Sequence, residues 1–253
     1  MTRALRSELW KLRTARLPWG LLGITAALTL LHQLLFDSNA GGTGHASIPS
    51  LATRAGQSQA ITAPAEVLLL ATVIGIIIAS GEFRHRTATA TYLAIPNRAQ
   101  VLGAKLGAAA AIGLLCGLVG ATTATILGLA FVAGSGHALI LGAATIFRYA
   151  VGGAIGAAVL AAGGVAVGTL IRSQVGAIIA IFIWGFVVEQ SVGGVYSVVQ
   201  RYLPYTAAAG LAGSTLGDAK SPLPFGLALI PLTAVVAALA AVAVRTTLAA
   251  DVT

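Results

Sequence analysis

Four long stretches of this chain contain no Asp, Glu, Lys or Arg, and they constrain the fold more than any other feature. They cover residues 17–36, 106–147, 149–171 and 221–244. A helix that crosses a bilayer needs about 20 consecutive apolar residues. Hydrophobic residues make up 57% of the chain and charged residues only 9%, whereas a typical soluble domain is about 25% charged. The sequence therefore predicts an all-α polytopic membrane protein and argues against a soluble enzyme, a nucleic-acid-binding domain or a disordered chain.

Six membrane-spanning helices follow from these stretches. Two shorter apolar stretches lie between Glu66 and Glu82 and between Arg172 and Glu189. A turn-like Gly-Ser-Gly-His cluster at 134–137 divides the longest stretch. We therefore predict a single transmembrane domain over residues 1–253. Its predicted spans are 17–36, 62–81, 106–133, 149–171, 173–192 and 223–244, with a polar loop at 37–60.

The basic residues predict the orientation of these spans. With six spans, 11 Lys and Arg residues lie on the side of the termini and 4 on the other side. Cytoplasmic loops of membrane proteins are enriched in Lys and Arg. We therefore expect a multi-pass protein of a bacterial-type cell membrane with both termini in the cytoplasm. The net charge of +8 is interpreted as a topology signal and not as a nucleic-acid-binding surface.

Residues 1–16 have the pattern of an amphipathic helix that lies in the membrane interface. Leu5, Leu9 and Leu12 recur at helical spacing, Trp10 flanks that stripe, and basic residues such as Arg13 occupy much of the remaining surface. Basic amphipathic helices of this kind bind the lipid headgroup layer. The alternative is that these charges act only as cytoplasmic anchors, without a mechanical role.

The stretch 81–105 is the longest and most charged segment predicted on the cytoplasmic side. We expect a short helix to begin near Glu82, because an acidic residue in the first turn interacts favourably with the helix dipole. Pro96 should end that helix, since the residue before a proline avoids the α conformation. The alternative is a solvated connector.

Glycine pairs with the spacing G-x-x-x-G predict close contacts between helices. Glycine at this spacing lets two helix backbones approach each other in lipid. We expect these contacts inside the subunit, with a dimer interface as the alternative. The pairs are Gly103/Gly107, Gly113/Gly117, Gly152/Gly156 and Gly164/Gly168.

Three segments of the chain resemble the membrane subunit of type-2 ABC exporters. They read S-E-L-W-K-L-R-T-A-R at 7–16, G-E-F-R-H-R-T at 81–87 and P-N-R-A-Q-V-L-G-A-K at 96–105. The predicted order of amphipathic helix, span, outer loop, span, charged loop and four more spans is also similar to that family. The resemblance implies that 190–222 dips partway into the outer leaflet, whereas its glycines and tyrosines also suit an ordinary solvated loop.

The resemblance also implies partners. In that family, the loop between the second and third spans carries a coupling helix that docks on a separate ATP-binding subunit, and two permease subunits form a dimer. This chain has no G-x-x-x-x-G-K-[ST] phosphate-binding motif. ATP and Mg²⁺ would therefore bind to the partner, and we expect this chain to be a transport subunit, not an enzyme, with no cofactor or metal of its own. The expected coupling residues are Glu82, Phe83, Arg84, Arg86, Tyr92, Leu93 and Arg98.

These features predict an ATP-driven exporter subunit, with a hydrophobic drug, antibiotic or peptide as substrate and a role in antibiotic resistance. A proton-coupled secondary transporter that uses membrane carboxylates is the alternative. An intramembrane serine protease would need a positioned nucleophile and base. Ser135 and His137 lie together in a turn-like cluster, but such a pair is more typical of a loop.

Three ionisable residues stand near the predicted outer ends of the spans. Glu66 and Glu189 fall within the length that a spanning helix requires, and Arg148 begins the fourth span on the same side. Charges at such a depth are costly unless they are paired or hydrated. These residues either line the outer part of an export pathway for a cationic or amphipathic substrate, or form a structural Glu–Arg pair.

Overall fold

The computed structural model describes residues 2–14, 16–37, 49–84, 97–214 and 223–249. Within these ranges nearly every residue is helical and none lies in a strand, so the protein is all-α, as predicted. The helices are α1 (Thr2–Thr14), α2 (Arg16–Asp37), α3 (Arg54–Ile61), α4 (Ala65–Arg84), α5 (Arg98–Gly134), α6 (Ala143–Ile171), α7 (Gln174–Phe182), α8 (Glu189–Val195), α9 (Ser197–Gln200), α10 (Pro204–Leu211) and α11 (Phe225–Ala249), with a π-helical segment (Ile183–Val188) between α7 and α8.

Five stretches of the described residues are long and apolar enough to cross a membrane, as in a multi-pass membrane protein. The first predicted span corresponds to α2, whose apolar part, Trp19–Leu35, is shorter than these five. The five stretches are Arg54–Gly81, Arg98–Gly134, Ala143–Ile171, Gln174–Val195 and Phe225–Thr246.

Two of the helices are longer than the spans predicted from their apolar stretches. The predicted span 106–133 lies within α5, which begins at Arg98 and contains 37 residues. The predicted span 149–171 lies within α6, which begins at Ala143 and includes Arg148. A charged side chain does not interrupt a helix, because the backbone still forms its regular hydrogen bonds. The absence of charge therefore indicates which part of a helix is apolar, and not where the helix ends.

The predicted polar loop at 37–60 contains most of a helix. Thr53 caps the N-terminus of α3 with its side chain. Gln57 of α3 is fully buried, and its Nε2 donates to the Ala138 carbonyl at 2.8 Å while its Oε1 accepts from the Ile140 N–H at 2.8 Å. The structure therefore corrects the loop prediction. A buried amide with satisfied hydrogen bonds fixes α3 to the connection between α5 and α6.

Helix α6 occupies the centre of the bundle and packs against α4, α5, α10 and α11. Much of its buried surface consists of small residues, including Ala157, Ala161 and Ala166, none of which is exposed. Helices in lipid associate through close packing, because lipid tails are as apolar as the side chains themselves. Small side chains along α6 allow several helices to approach one central helix.

Glycine permits the closest of these contacts. A Cβ atom on Gly75 of α4 would overlap the Ala161 carbonyl of α6, and a Cβ atom on Gly164 of α6 would overlap the Thr72 carbonyl of α4. Three of the predicted glycine pairs pack within the subunit in the same manner. Gly113/Gly117 contact α6, Gly152/Gly156 contact α10, and Gly164/Gly168 contact α4.

The chain between α8 and α11 turns back into the bundle. Most of α10 is buried, and it packs against α6 and α11. At its first turn the Tyr205 hydroxyl donates to Thr72 Oγ1 of α4 at 3.1 Å. At its last turn the Leu211 carbonyl lies against Gly152 of α6. Helix α10 therefore lies inside the bundle, whereas the chain just before it is largely exposed, for example at Val195 and Tyr196.

Candidate functional site

The predicted ATPase contact begins at the end of α4 and finishes at the start of α5. Glu82, Phe83 and Arg84 form the last turn of α4, so no separate helix begins at Glu82. Extending an existing helix is easier than nucleating a new one. Arg98 begins α5, and the Asn97 side chain caps it by accepting a backbone hydrogen bond at 3.1 Å. The other predicted contact residues lie outside the described residues: Arg86, Tyr92 and Leu93.

The leucine stripe of α1 is divided between the bundle and the exterior. Leu5 lies against α5, and Leu12 packs on the contact between α2 and α5. Leu9 is 41% exposed, Trp10 is 63% exposed, and Arg13 is also exposed. Helix α1 therefore uses one apolar face to pack on its own subunit. A second face, around Leu9 and Trp10, is exposed.

Helix α1 also contributes a buried ion pair that the sequence analysis missed. Glu8 is 6% exposed, and its carboxylate lies 2.6 Å from Lys11 Nζ and 3.5 Å from Lys105 Nζ. Lys105 lies on α5 and is also buried. A signal was present, because Glu8 is the only acidic residue of a basic helix and Lys105 directly precedes a long apolar stretch. The two residues are too far apart in sequence for any helical spacing to relate them.

The three ionisable residues predicted near the outer boundary have separate partners. Glu66 is half exposed, and its Oε2 lies 3.5 Å from His32 Nδ1 of α2. Arg148 is exposed, and its guanidinium lies 5.5 Å from the centre of the Tyr149 ring. Within the described ranges neither Glu66 nor Glu189 forms an ion pair with Arg148. The structure therefore brings none of the three together, because Glu189 faces the interior while Arg148 remains on the surface.

Glu189 is 1% exposed and accepts four hydrogen bonds. Its Oε1 accepts from Trp184 Nε1 at 2.9 Å and from the Tyr205 backbone N–H at 3.0 Å. Its Oε2 accepts from the Thr206 backbone N–H and from the Thr206 hydroxyl, both at 2.9 Å. All four donors are electrically neutral groups. Hydrogen bonds to an ionised acceptor are roughly twice as strong as neutral ones, so these donors offset part of the cost of burying the carboxylate.

The first turn of α10 explains why such an acceptor is needed. The N-cap residue of α10 is Leu203, whose side chain offers no acceptor. Pro204 follows as the first helical residue and has no N–H to satisfy. The next two N–H groups, those of Tyr205 and Thr206, would otherwise be unpaired inside the bundle. Glu189 performs from a distance the capping role that Ser, Thr, Asp or Asn usually performs locally.

The π-helical segment places Trp184 next to Glu189 on the helix surface. The backbone N–H of Glu189 donates to the Trp184 carbonyl, five residues earlier in the chain. In a π-helix, residues five apart approach one another along the helix surface, and such segments are frequent at functional sites. The local geometry thus brings the indole N–H within 2.9 Å of the carboxylate.

Comparisons with known proteins do not assign this chain to a family. No family model matches it, and no characterised protein matches it significantly. Within the described ranges, no three His, Cys, Asp or Glu side chains are grouped so that they could bind a metal ion. The candidate functional features are therefore the buried Glu8–Lys105 pair and the cap that Glu189 provides for α10.

Proposed function

We propose that this chain is the membrane-spanning subunit of an ATP-driven exporter of the ABC type. It works with a separate ATP-binding subunit, which binds ATP and Mg²⁺, and with a second permease subunit. It lies in a bacterial-type cell membrane with six spans and both termini in the cytoplasm. Its substrates are hydrophobic drugs, antibiotics or peptides.

The observation that carries this proposal is the buried ion pair between α1 and α5. Glu8 and Lys105 join α1 to the helix that follows the 85–96 segment. Helix α5 in turn packs along α2, α4 and α6. A partner that moves the connection between α4 and α5 would therefore move α1 and α5 together. That movement would pass directly into the packed centre of the bundle.

We propose α2 as a further span, which with the five long apolar stretches makes six. This helix has 22 residues, which corresponds to about 33 Å at 1.5 Å per residue and is comparable with a hydrocarbon core of about 30 Å. Near its start, Leu21 packs with Ile112 of α5. Near its end, Gln33 Nε2 donates to the Ala60 carbonyl and lies 3.5 Å from the Ala124 carbonyl of α5. Helix α2 thus follows α5 along much of the bundle.

The proposed orientation can be tested with single cysteines in a Cys116→Ser background. Ala52 and Ala144 are exposed at one end of the bundle, and Ala99 is exposed at the other. In intact cells, a membrane-impermeant thiol reagent should label A52C and A144C and should not label A99C. Labelling of A99C alone would reverse the orientation, and labelling of all three would contradict the spanning arrangement.

The proposed partner can be tested by pull-down of a tagged ABC ATPase encoded next to this chain. The double variant F83A/Y92A removes the two aromatic side chains of the predicted contact. Aromatic residues are frequent hot spots of protein interfaces. We expect the variant to lose the ATPase, or to lose coupling between hydrolysis and transport in proteoliposomes, while it still inserts in the membrane.

The matched control is F147A/Y196A, which removes an exposed Phe and an exposed Tyr elsewhere in the chain. This variant should retain the ATPase. If both double variants retain association and coupling, the 82–98 segment is not the contact. If the purified chain transports substrate along a proton gradient without any ATPase, the alternative of a proton-coupled transporter replaces the proposal.

A further inference from the structure

A cavity of about 270 Å³ lies near the middle of the bundle. Thr72 of α4, Gly163 of α6 and Ala180 of α7 contribute to its wall, and Tyr205 of α10 and Val235 of α11 complete it. Thr72 and Val235 lie in the central turns of their long helices, and Tyr205 lies in the first turn of α10. Five helices of one subunit and the π-helical segment therefore line the cavity.

The polar groups of the wall already have hydrogen-bond partners. The Thr72 hydroxyl donates to the Leu68 carbonyl at 2.9 Å and accepts from the Tyr205 hydroxyl at 3.1 Å. The indole N–H of Trp184, which also lines the cavity, donates to Glu189. An ordered water needs two to four polar partners, and an apolar cavity of about 150 Å³ is known to stay dry and to bind benzene. This larger cavity is therefore suited to an apolar occupant.

The cavity has a lateral opening between α7 and α11. Both helices pack against α6, but they scarcely contact one another. Trp184 on one side of the gap is 43% exposed, and Val235 on the other side is 37% exposed. The outer surfaces of both helices carry exposed apolar side chains, among them Ile179 and Val242. An occupant would therefore enter sideways, at the depth where a bilayer consists of hydrocarbon.

We propose that this cavity binds an acyl chain of a bilayer lipid, which enters between α7 and α11. Side chains that line an empty apolar cavity lack dispersion contacts on the side that faces the cavity. The acyl chain supplies those contacts. The site lies within one subunit and does not require an ATPase. The proposal therefore stands independently of the exporter function and needs only that the bundle lies in a bilayer.

The experiment uses the full chain in vesicles of phosphatidylcholine that contain a phosphatidylcholine with a photoreactive diazirine at mid-chain. After illumination, peptide mapping identifies the labelled residues. Thr72 and Leu160 are each 4% exposed, so lipid on the outer surface cannot reach them. We expect label on both residues. Label confined to exposed residues such as Ile179 would overturn the proposal.

Two matched variants of α11 test the route of entry. Val235→Trp places a large side chain at the opening, whereas Val242→Trp places the same side chain on the exposed surface outside the cavity. Labelling of Thr72 should be lost in V235W and retained in V242W. Equal labelling of Thr72 in the two variants would contradict entry between α7 and α11.

Three further experiments test whether a variant is folded and what occupies the cavity. Cys116 is buried and is the only cysteine, so its lack of reaction with a maleimide shows that a variant is folded. If V235W is misfolded, Ala180→Leu narrows the cavity from α7 and should also abolish the labelling of Thr72. A free diazirine-bearing alcohol of similar length serves as the second probe. If it labels Thr72 while the phospholipid does not, the occupant is a free apolar compound and the lipid assignment is wrong.

Discussion

Glu8 and Glu189 are two buried carboxylates in the same apolar bundle, and the protein compensates their charges in different ways. Glu8 lies between two lysine ammonium groups, one from its own helix and one from α5. Glu189 accepts hydrogen bonds from two backbone N–H groups, an indole and a hydroxyl. Burying a charge is costly unless it is paired and hydrogen-bonded. Glu8 meets both conditions, whereas Glu189 is hydrogen-bonded but has no opposite charge beside it.

The two sites therefore differ in the changes of structure and charge that they can tolerate. Lysine side chains are long and flexible, and Lys11 is 53% exposed, so the Glu8 site can adjust and can admit water. The donors around Glu189 include backbone groups of α10 that cannot move without moving the helix. A protonated carboxyl would also turn one acceptor into a donor that faces other donors. The Glu189 site therefore depends more strictly on its geometry and its charge.

The largest effect is expected for Glu189→Gln and Glu189→Ala. Each buried donor left unpaired costs about 1–3 kcal/mol, and Glu189 serves several such donors. Glutamine keeps the size of the side chain but turns an NH₂ group toward a donor, so it should not rescue the site. The measurement is unfolding in detergent, followed by the reaction of a fluorogenic maleimide with the buried Cys116.

The matched control for these variants is Gln190→Ala, at an exposed position next to Glu189. It should leave the unfolding temperature close to that of the wild type. Thr206→Val, which removes the hydroxyl but keeps the backbone N–H, should fall between the control and E189A. A stable E189Q variant would show that the cap of α10 contributes little to the fold.

A smaller effect is expected for Glu8→Gln, and a second substitution should reduce it. Removing one member of a buried pair costs about 3–5 kcal/mol, whereas replacing both members by apolar groups is often neutral. The exposed Lys11 should bring E8Q toward or below the lower end of that range. We therefore expect E8Q/K105M to be more stable than E8Q in the same unfolding assay. Strict additivity of E8Q and K105M would mean that Glu8 and Lys105 are not coupled. Arg6→Met, at an exposed position of the same helix, serves as the control and should have little effect.

The smallest effect is expected for Glu66→Gln and Arg148→Ala. Both side chains are substantially exposed, and surface substitutions usually change stability by no more than about 0.5 kcal/mol. The double variant should equal the sum of the two single variants, because the two residues form no ion pair in the structure. A double variant more stable than R148A would reveal the Glu–Arg pair that the sequence suggested.

Much of the helical framework was predictable from apolar stretches, and its boundaries were less so. The stretch 149–171 lies within α6, but the helix begins at Ala143 and passes through Arg148 without interruption. The polar segment before Ala60 was predicted as a loop, yet it contains α3, because Gln57 is buried through hydrogen bonds to residues beyond α5. Hydropathy reflects the free energy of transferring a side chain from water to an apolar environment. It does not report hydrogen bonds between distant parts of the chain.

The sequence alone predicts an apolar, helical chain, since a helix satisfies within itself the backbone groups of an apolar stretch that crosses a membrane. It also placed glycine where helices approach closely, at Gly164 and Gly168 among others. The partners of the buried charges depend on the tertiary structure. Glu189 contacts the N-terminus of α10, and Glu8 contacts Lys105, because the fold brings these distant parts of the chain together. Such pairings depend on where whole helices lie, and no local pattern of residues records that position.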